Sequence, residues 1–354
     1  MPPPRIVAID ALRGVAALVV VLWHWPHFFQ LQATPDAALP LYALLWPFYR
    51  YGAWGVDLFF CISGFVFYTQ YADAVAGRML SSLAFARLRF SRLYPLHLVT
   101  LLAVAALQSV FTHQTGHAFV YSDLSWRSFA LQLALASNWW TRPYSFNGPV
   151  WSVSVEILLY ASFFVLARIG AIRPPVLLAV AVAGMFLMPV NEDVARGLAA
   201  FFVGCLCGIA VARARAGSFG LGAWLALIVV ATLWAQTGIS RAELIVKWAV
   251  FPGLVIALAL ADGKLRAVSE RLHWLGDISY SSYLIHFPLQ LTLVTFAATT
   301  GAVIDFSSPW TLGGFFVALV ALSLLSFHRL ERPAMRWIRM SRSPASRPGL
   351  HAAR

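Results

Sequence analysis

IDALRGVAALVVVLWH, residues 9–24, decides the fold. Residues 15–23 are uninterrupted apolar sequence, so a helix over them has no polar face to turn toward water. Arg13 and His24 flank the run. Eleven steps of about 100° return to within about 20° of the start, so the two side chains share a helix face, about 16 Å apart along the axis. Asp10 precedes Arg13 by three residues on that face, close enough to pair. One stripe thus carries an acid and a base near one mouth and an imidazole much deeper. The same spacing also suits interfacial anchors at 10 and 13 and a His24 that only bonds a neighbouring helix.

The rest of the chain repeats this apolar texture. Of 354 residues, 60% are hydrophobic and 11% charged, with a mean hydropathy of +0.74; a soluble domain carries about 25% charged residues. The apolar runs approach the roughly 20 residues that span a bilayer. The expected fold is an all-α integral membrane domain of ten spans, near 12–29, 54–72, 94–112, 150–167, 175–190, 196–212, 219–237, 246–261, 277–298 and 310–328. With both termini cytoplasmic, the inner segments hold 20 of the 26 Lys and Arg residues, as the positive-inside rule requires. Residues 128–140, SFALQLALASNWW, are too short for an easy crossing, and counting them would turn the later basic loops outward. They are expected to lie at or dip into the outer interface. The domain fills residues 1–339, and 340–354 form a basic, disordered tail.

Several function classes drop out. The net charge of +12 comes from basic residues scattered between apolar runs, not from a nucleic-acid patch. The first span has no small-residue cleavage site directly after it and is expected to be retained. Cys61, Cys205 and Cys207 lie inside apolar runs with neither disulfide nor metal spacing. The pairs His24/His27 and His113/His117 lack a third ligand nearby, so no metal is expected. No repeat stands out.

A charged side chain inside a membrane helix costs about 2.5 kcal/mol or more and needs a reason. In GVDLFFCISGFVF, residues 55–67, Asp57 opens a span, as a cap or a buried acid, and Ser63 lies further in beside Gly64. In RLRFSRLYPLH, residues 87–97, Arg89 and Arg92 share a face and suit either phosphate oxygens or plain inside-positive charge. In NGPVWSVSVEILLY, residues 147–160, Trp151 suits an interfacial helix start. Ser152 and Glu156 face one way, aiming a carboxylate into the bundle that needs a partner from another helix. In SYSSYLIHFP, residues 279–288, Ser279, Tyr283 and His286 form one stripe ahead of the kink expected at Pro288. That stripe lines a polar cavity or glues helices together.

Together these clusters resemble acyltransferase family 3, membrane enzymes that modify envelope glycans, signalling glycolipids and some antibiotics. The resemblance rests on the Arg-x10-His of residues 13–24, GVDLFFCISGF, the RFSR of residues 89–92, WSVSVE and SYSSYLIH, in order over nearly the whole domain. It implies transfer of an acyl group, acetyl most commonly, from acyl-coenzyme A (CoA) on the cytoplasmic side to a hydroxyl of a glycan or glycolipid. Acyl-CoA is then a co-substrate, and no bound cofactor is implied. By position, His24 is the implied catalytic histidine and general base, Arg13 its companion and Glu156 the family's carboxylate. Arg89 and Arg92 match the pair that serves the donor. Asp10, Asp57, Ser63, Trp151, Ser152, Ser279, Tyr283 and His286 are supporting residues. Only 26 residues follow the last expected span, which implies the form without an added hydrolase-like domain. Succinyl or longer acyl groups are the runner-up. A secondary transporter also needs intramembrane charge but leaves the five motifs in register unexplained.

Overall fold

The structure is a computed structural model that describes residues 6–29, 38–140, 143–218, 221–235 and 240–340. The tail expected beyond 340 lies outside the described residues. Regular structure among them is helical, apart from one isolated bridge between Asp123 and Ser145. In chain order the helices are α1 (Val7–Trp23), α2 (Tyr42–Tyr51), α3 (Gly55–Ala76), α4 (Ser82–Thr115), α5 (Trp126–Leu133), α6 (Val150–Arg168), α7 (Pro174–Leu187), α8 (Glu192–Arg215), α9 (Leu221–Trp234), α10 (Arg241–Ile245), α11 (Phe251–Thr300), α12 (Pro309–Ser326) and α13 (Arg332–Met340). Two π turns, Val246–Val250 and Phe327–Glu331, join α10 to α11 and α12 to α13.

Seven of the described helical stretches are long and apolar enough to cross a bilayer, so the chain is an all-α, multi-pass membrane protein. The spans expected at 175–190 and 219–237 fall on α7 and α9, which have 14 residues each. The ambiguous segment 128–140 is helical only through its overlap with the 8-residue α5, far short of a crossing. His97 Nε2 donates to the Gln132 carbonyl at 2.8 Å and ties that short helix to α4.

One expectation is corrected. The loop between the spans at 246–261 and 277–298 is helical, so both belong to one stretch, Arg241–Thr300. Its contacts show that it doubles back. Lys247 pairs with Asp57 beside the C-terminal end of α1. Further along, the Ala259 carbonyl accepts from Arg215 at the end of α8. Asp262 then accepts from the Ala8 amide, at the opposite end of α1. Gly276 lies against Asp10, and Gln290 reaches the level of His24 again. Residues 262–276 thus make the reversal without leaving helical geometry. The segment has no proline and carries the helix formers Leu265, Arg266, Glu270, Arg271 and Leu272, and Arg266–Glu270 adds an i,i+4 pair at 2.8 Å.

Glycines set the two closest helix crossings. A Cβ on Gly14 would strike the Leu275 backbone, and one on Gly276 the Asp10 carbonyl, so α1 and the later limb of α11 meet backbone to backbone. Gly64 and Gly204 do the same for α3 and α8. In lipid, such close approach replaces the hydrophobic drive that water supplies elsewhere. Around these crossings the core includes Val20, Phe65, Leu159, Phe201, Leu206 and Leu284, all almost fully buried. Helix α11 runs on through Pro288. Its missing N–H frees the Leu284 carbonyl, which accepts from Asn147 Nδ2 at 3.2 Å.

Candidate active site

The stripe on α1 has two separate surroundings. At its beginning, Arg13 Nη2 lies 3.3 Å from Asp10 Oδ1, as the i,i+3 spacing predicts. The same guanidinium donates from Nε to Ser279 Oγ at 3.0 Å and from Nη2 to the Gly276 carbonyl at 2.9 Å. The tight Gly14–Gly276 crossing makes that reach possible. Arg13 is therefore committed to α11 at the beginning of α1, one helix length from His24.

Three cavities follow one another along this stripe. The first, about 480 Å³, is lined by Arg13, Arg89, Arg92, Arg215 and Arg339 against Asp10 and Asp277. The second, about 160 Å³, shares Arg13, Arg89 and Arg92 and adds Ser63, Glu156, Ser279 and Tyr283. The third, about 480 Å³, holds Trp23, His24, His27, Tyr144, Trp151 and Arg196. Every candidate site residue named from the sequence lines one of these cavities or pairs with a residue that does.

Glu156 finds the partner it required on α3: Ser63 Oγ donates to its carboxylate at 2.5 Å. Ser152 Oγ and the Tyr283 hydroxyl are 2.9 Å apart, and Tyr283 also donates to the Pro149 carbonyl at 3.0 Å. This link ties the start of α6 to α11 between the second and third cavities.

Arg89 and Arg92 share a face but differ in electrostatics. Arg92 Nη1 lies 2.6 Å from Glu331 Oε2, and that carboxylate also accepts from Ser281 and Ser326. Arg89 has no carboxylate within ion-pair distance among the described residues. It donates to the Tyr71 hydroxyl at 2.6 Å and lies over the rings of Tyr71, Phe67 and Tyr160. Its Nε is buried without a hydrogen-bond partner. A cation held by aromatic faces and still short of an acceptor is suited to an incoming anion.

Asp57 is an ion-pair centre and not a helix cap. It is 3% exposed and bound by Arg196 through both oxygens, at 3.1 and 2.8 Å, and by Lys247 at 3.1 Å. Arg196 continues over the Trp151 ring into the third cavity. There the Tyr144 hydroxyl donates to Asp193 at 3.1 Å. Burial and the neighbouring Asp193 charge push the Tyr144 phenol above its usual pKa, so it stays a donor.

His24 ends α1. Its Nδ1 lies 2.8 Å from the Val20 carbonyl. A carbonyl only accepts, so Nδ1 carries the proton and Nε2 the lone pair. The imidazole meets His286 at 4.8 Å and His27 at 4.9 Å between ring centroids. Gln290 locks this corner, donating to the His24 carbonyl at 2.9 Å and accepting from His27 at 3.2 Å. His286 Nδ1 donates to the Tyr283 carbonyl at 2.7 Å, leaving its buried Nε2 without a partner. Among the described residues no three ligating side chains converge in a way that holds a metal ion. The arrangement offers a lone-pair nitrogen at one end of a row of three cavities and a cluster of cations at the other.

Glu331, Arg215 and Arg339 escaped the sequence reading. Glu331 was signalled only by being the single acid among the arginines from 329 to 354.

No solved structure matches the chain. It is 25% identical, over 98% of its length and 96% of the other, to Acyltransferase MdmB of Streptomyces mycarofaciens. It is 36% identical to Protein 2 in picA locus of Rhizobium radiobacter, over 30% of this chain and 47% of that protein. The Acyl_transf_3 profile, described as an acyltransferase domain, matches residues 6–328. The chain therefore belongs to the acyltransferase 3 family and is a membrane enzyme that transfers acyl groups other than aminoacyl groups.

Proposed function

We propose that this enzyme takes an acyl group, acetyl in the first place, from acyl-CoA at the Arg13 end. It passes the group to a hydroxyl of an envelope glycan or glycolipid at the His24 end. The chain then makes ten passes of a bacterial inner membrane, with both termini and the arginine-lined cavity cytoplasmic. The observation that carries this reading is the series of three cavities along α1. Five arginines against two carboxylates suit the phosphates of a CoA. The central cavity, narrower and lined by Ser63, Glu156 and Ser279, suits the amide-bearing arm that carries the thioester. Between the levels of Arg13 and His24 lie about 16 Å, a distance that such an extended arm bridges.

The chemistry at His24 is proton transfer. Nε2 removes the proton from the acceptor hydroxyl, whose oxygen attacks the thioester carbonyl. The C–S bond then breaks, and the departing CoA thiolate takes the proton back from the imidazolium. An imidazole, which takes a proton on Nε2 and gives it back, suits both steps. Arg13 is too distant to stabilise the oxyanion and acts on the donor. Arg89, with its unfilled acceptor need, is the leading phosphate contact. Aromatic walls at Trp23, Tyr144 and Trp151 suit the faces of sugar rings.

Mass spectrometry of cell-surface glycans, with and without the gene, tests the reading. An acetyl-sized mass increment should disappear on deletion and return with the intact gene. Unchanged glycans, or membranes that release no CoA from acetyl-CoA, would overturn it.

A further inference from the structure

The second and third cavities share one lining residue, Val56. It stands in the first turn of α3 and is 4% exposed. Its neighbour Gly55 presses α3 against α1, since a Cβ there would lie 2.7 Å from Val20 Cγ2 and 3.3 Å from the Ala16 carbonyl. Val20 supplies the carbonyl that orients His24. Across the passage, Tyr283 is held by Ser152 at 2.9 Å, with Phe59 edge-on at 5.9 Å. Neither wall gives easily: one is pressed against the stiff β-branched Val20 side chain and the Ala16 carbonyl of α1, the other is held by a hydrogen bond between two helices. The partition between the narrow cavity and the His24 cavity is therefore the Val56 side chain.

We infer that Val56 is the size gate of this enzyme, the side chain that an acyl group must pass to reach His24 and that sets the longest acyl chain transferred. This rests on the proposed donor route. A rigid apolar constriction separates acyl groups by volume, and one methylene in such a place changes relative rates by about 10–200-fold. Valine fills the gate with two methyl groups. Alanine opens it, isoleucine narrows it and phenylalanine closes it.

The experiment uses membranes containing the full-length protein and their own acceptor, with gene-deleted membranes as the blank. Acetyl-, butyryl- and octanoyl-CoA are compared as donors for Val56→Ala, Val56→Ile and Val56→Phe. The readout is the ratio of kcat/KM between donors, which does not depend on how much of a variant is folded. Val56→Ala should raise octanoyl relative to acetyl transfer at least tenfold. Val56→Ile should lower butyryl relative to acetyl transfer. Val56→Phe should stop all transfer while CoA binding stays within twofold. If all three variants lower the three donors by one common factor, Val56 is only packing and the gate is overturned alone. If the unsubstituted protein uses no acyl-CoA, the donor route falls and the gate with it.

Discussion

Arg92 and Glu331 form a 2.6 Å ion pair across 239 residues of chain, and the carboxylate is 1% exposed. Arg92 is thus already neutralised, and the pair fastens the π turn after α12 to α4. Arg89, three residues away, has only a tyrosine hydroxyl and ring faces. The two arginines are therefore not an equal clamp. Arg89→Gln should weaken CoA binding by about 1.5–3 kcal/mol, the worth of a hydrogen bond to a charged group, with protein levels unchanged. Arg92→Gln should instead strand a buried carboxylate, at about 3–5 kcal/mol, and lower the unfolding temperature in detergent. Adding Glu331→Gln to it should recover most of that loss. CoA titration and thermal unfolding of the three variants separate the two roles, and equal binding losses at 89 and 92 would contradict the asymmetry.

Asp57 should tolerate replacement worse than either of its partners. It offsets two cations whose side chains are only 16% and 8% exposed, Arg196 and Lys247. Asp57→Asn leaves Arg196 with only the exposed Glu192 at 3.6 Å and Lys247 with only Glu243 at 2.6 Å, and should cost about 3 kcal/mol, the low end for a broken buried pair. Lys247→Met removes one charge and keeps the two-oxygen Arg196 contact, so it should cost less. Unfolding temperature in detergent checks the order; a Lys247→Met protein less stable than Asp57→Asn would refute it.

How much of this was legible in the sequence depends on whether the information was local. The Asp10–Arg13 pair and the Ser279–Tyr283–His286 stripe follow from helical spacing, and the stripe does face α1, α6 and His24 in turn. Arg13 and His24 share a face as expected, yet a shared face is not proximity, and each has its own surroundings. Asp57's partners were not legible. Arg196 lies 139 positions away, and it and Lys247 are two of the six basic residues that fall outside the inner segments. Glu331 was hidden because Arg329 and Arg332 around it look like ordinary inside-positive charge. The reversal at 262–276 was expected but its helical character was not, since basic loops and basic exposed helices have the same composition.

Gly64 and Gly204 should behave as space requirements, not as flexible points. A Cβ on either meets backbone of the opposite helix, which cannot step aside as a side chain can. Gly64→Ala should cost about 1–3 kcal/mol, the usual cost of overpacking, seen as a lower unfolding temperature and less folded protein. Gly253, in the first turn of α11, has nothing within 4 Å of such a Cβ. Gly253→Ala should be neutral or stabilising by up to about 1 kcal/mol, because alanine is the better helix former. Equal effects at the two positions would show that helix propensity, and not the α3–α8 contact, governs both.

The proposed general-base role of His24 is separable from its structural one. Nδ1 holds the end of α1 by donating to the Val20 carbonyl at 2.8 Å, and only Nε2 is left for chemistry. Asparagine places an N–H close to Nδ1 and can keep that hydrogen bond, but it takes up no proton at neutral pH. Glutamine reaches closer to the Nε2 position and is equally unable to act as a base. Both variants, like His24→Ala, should lose transfer by about 10²–10⁴-fold, the usual worth of a positioned base. His24→Asn should keep the unfolding temperature of the unsubstituted protein, and donor binding should persist in all three. If His24 served only to hold α1, His24→Asn would retain most activity and His24→Ala would fall with its stability. Glycan acylation in membranes at matched protein levels decides between these outcomes, and an active asparagine or glutamine variant would remove His24 from the proton transfer.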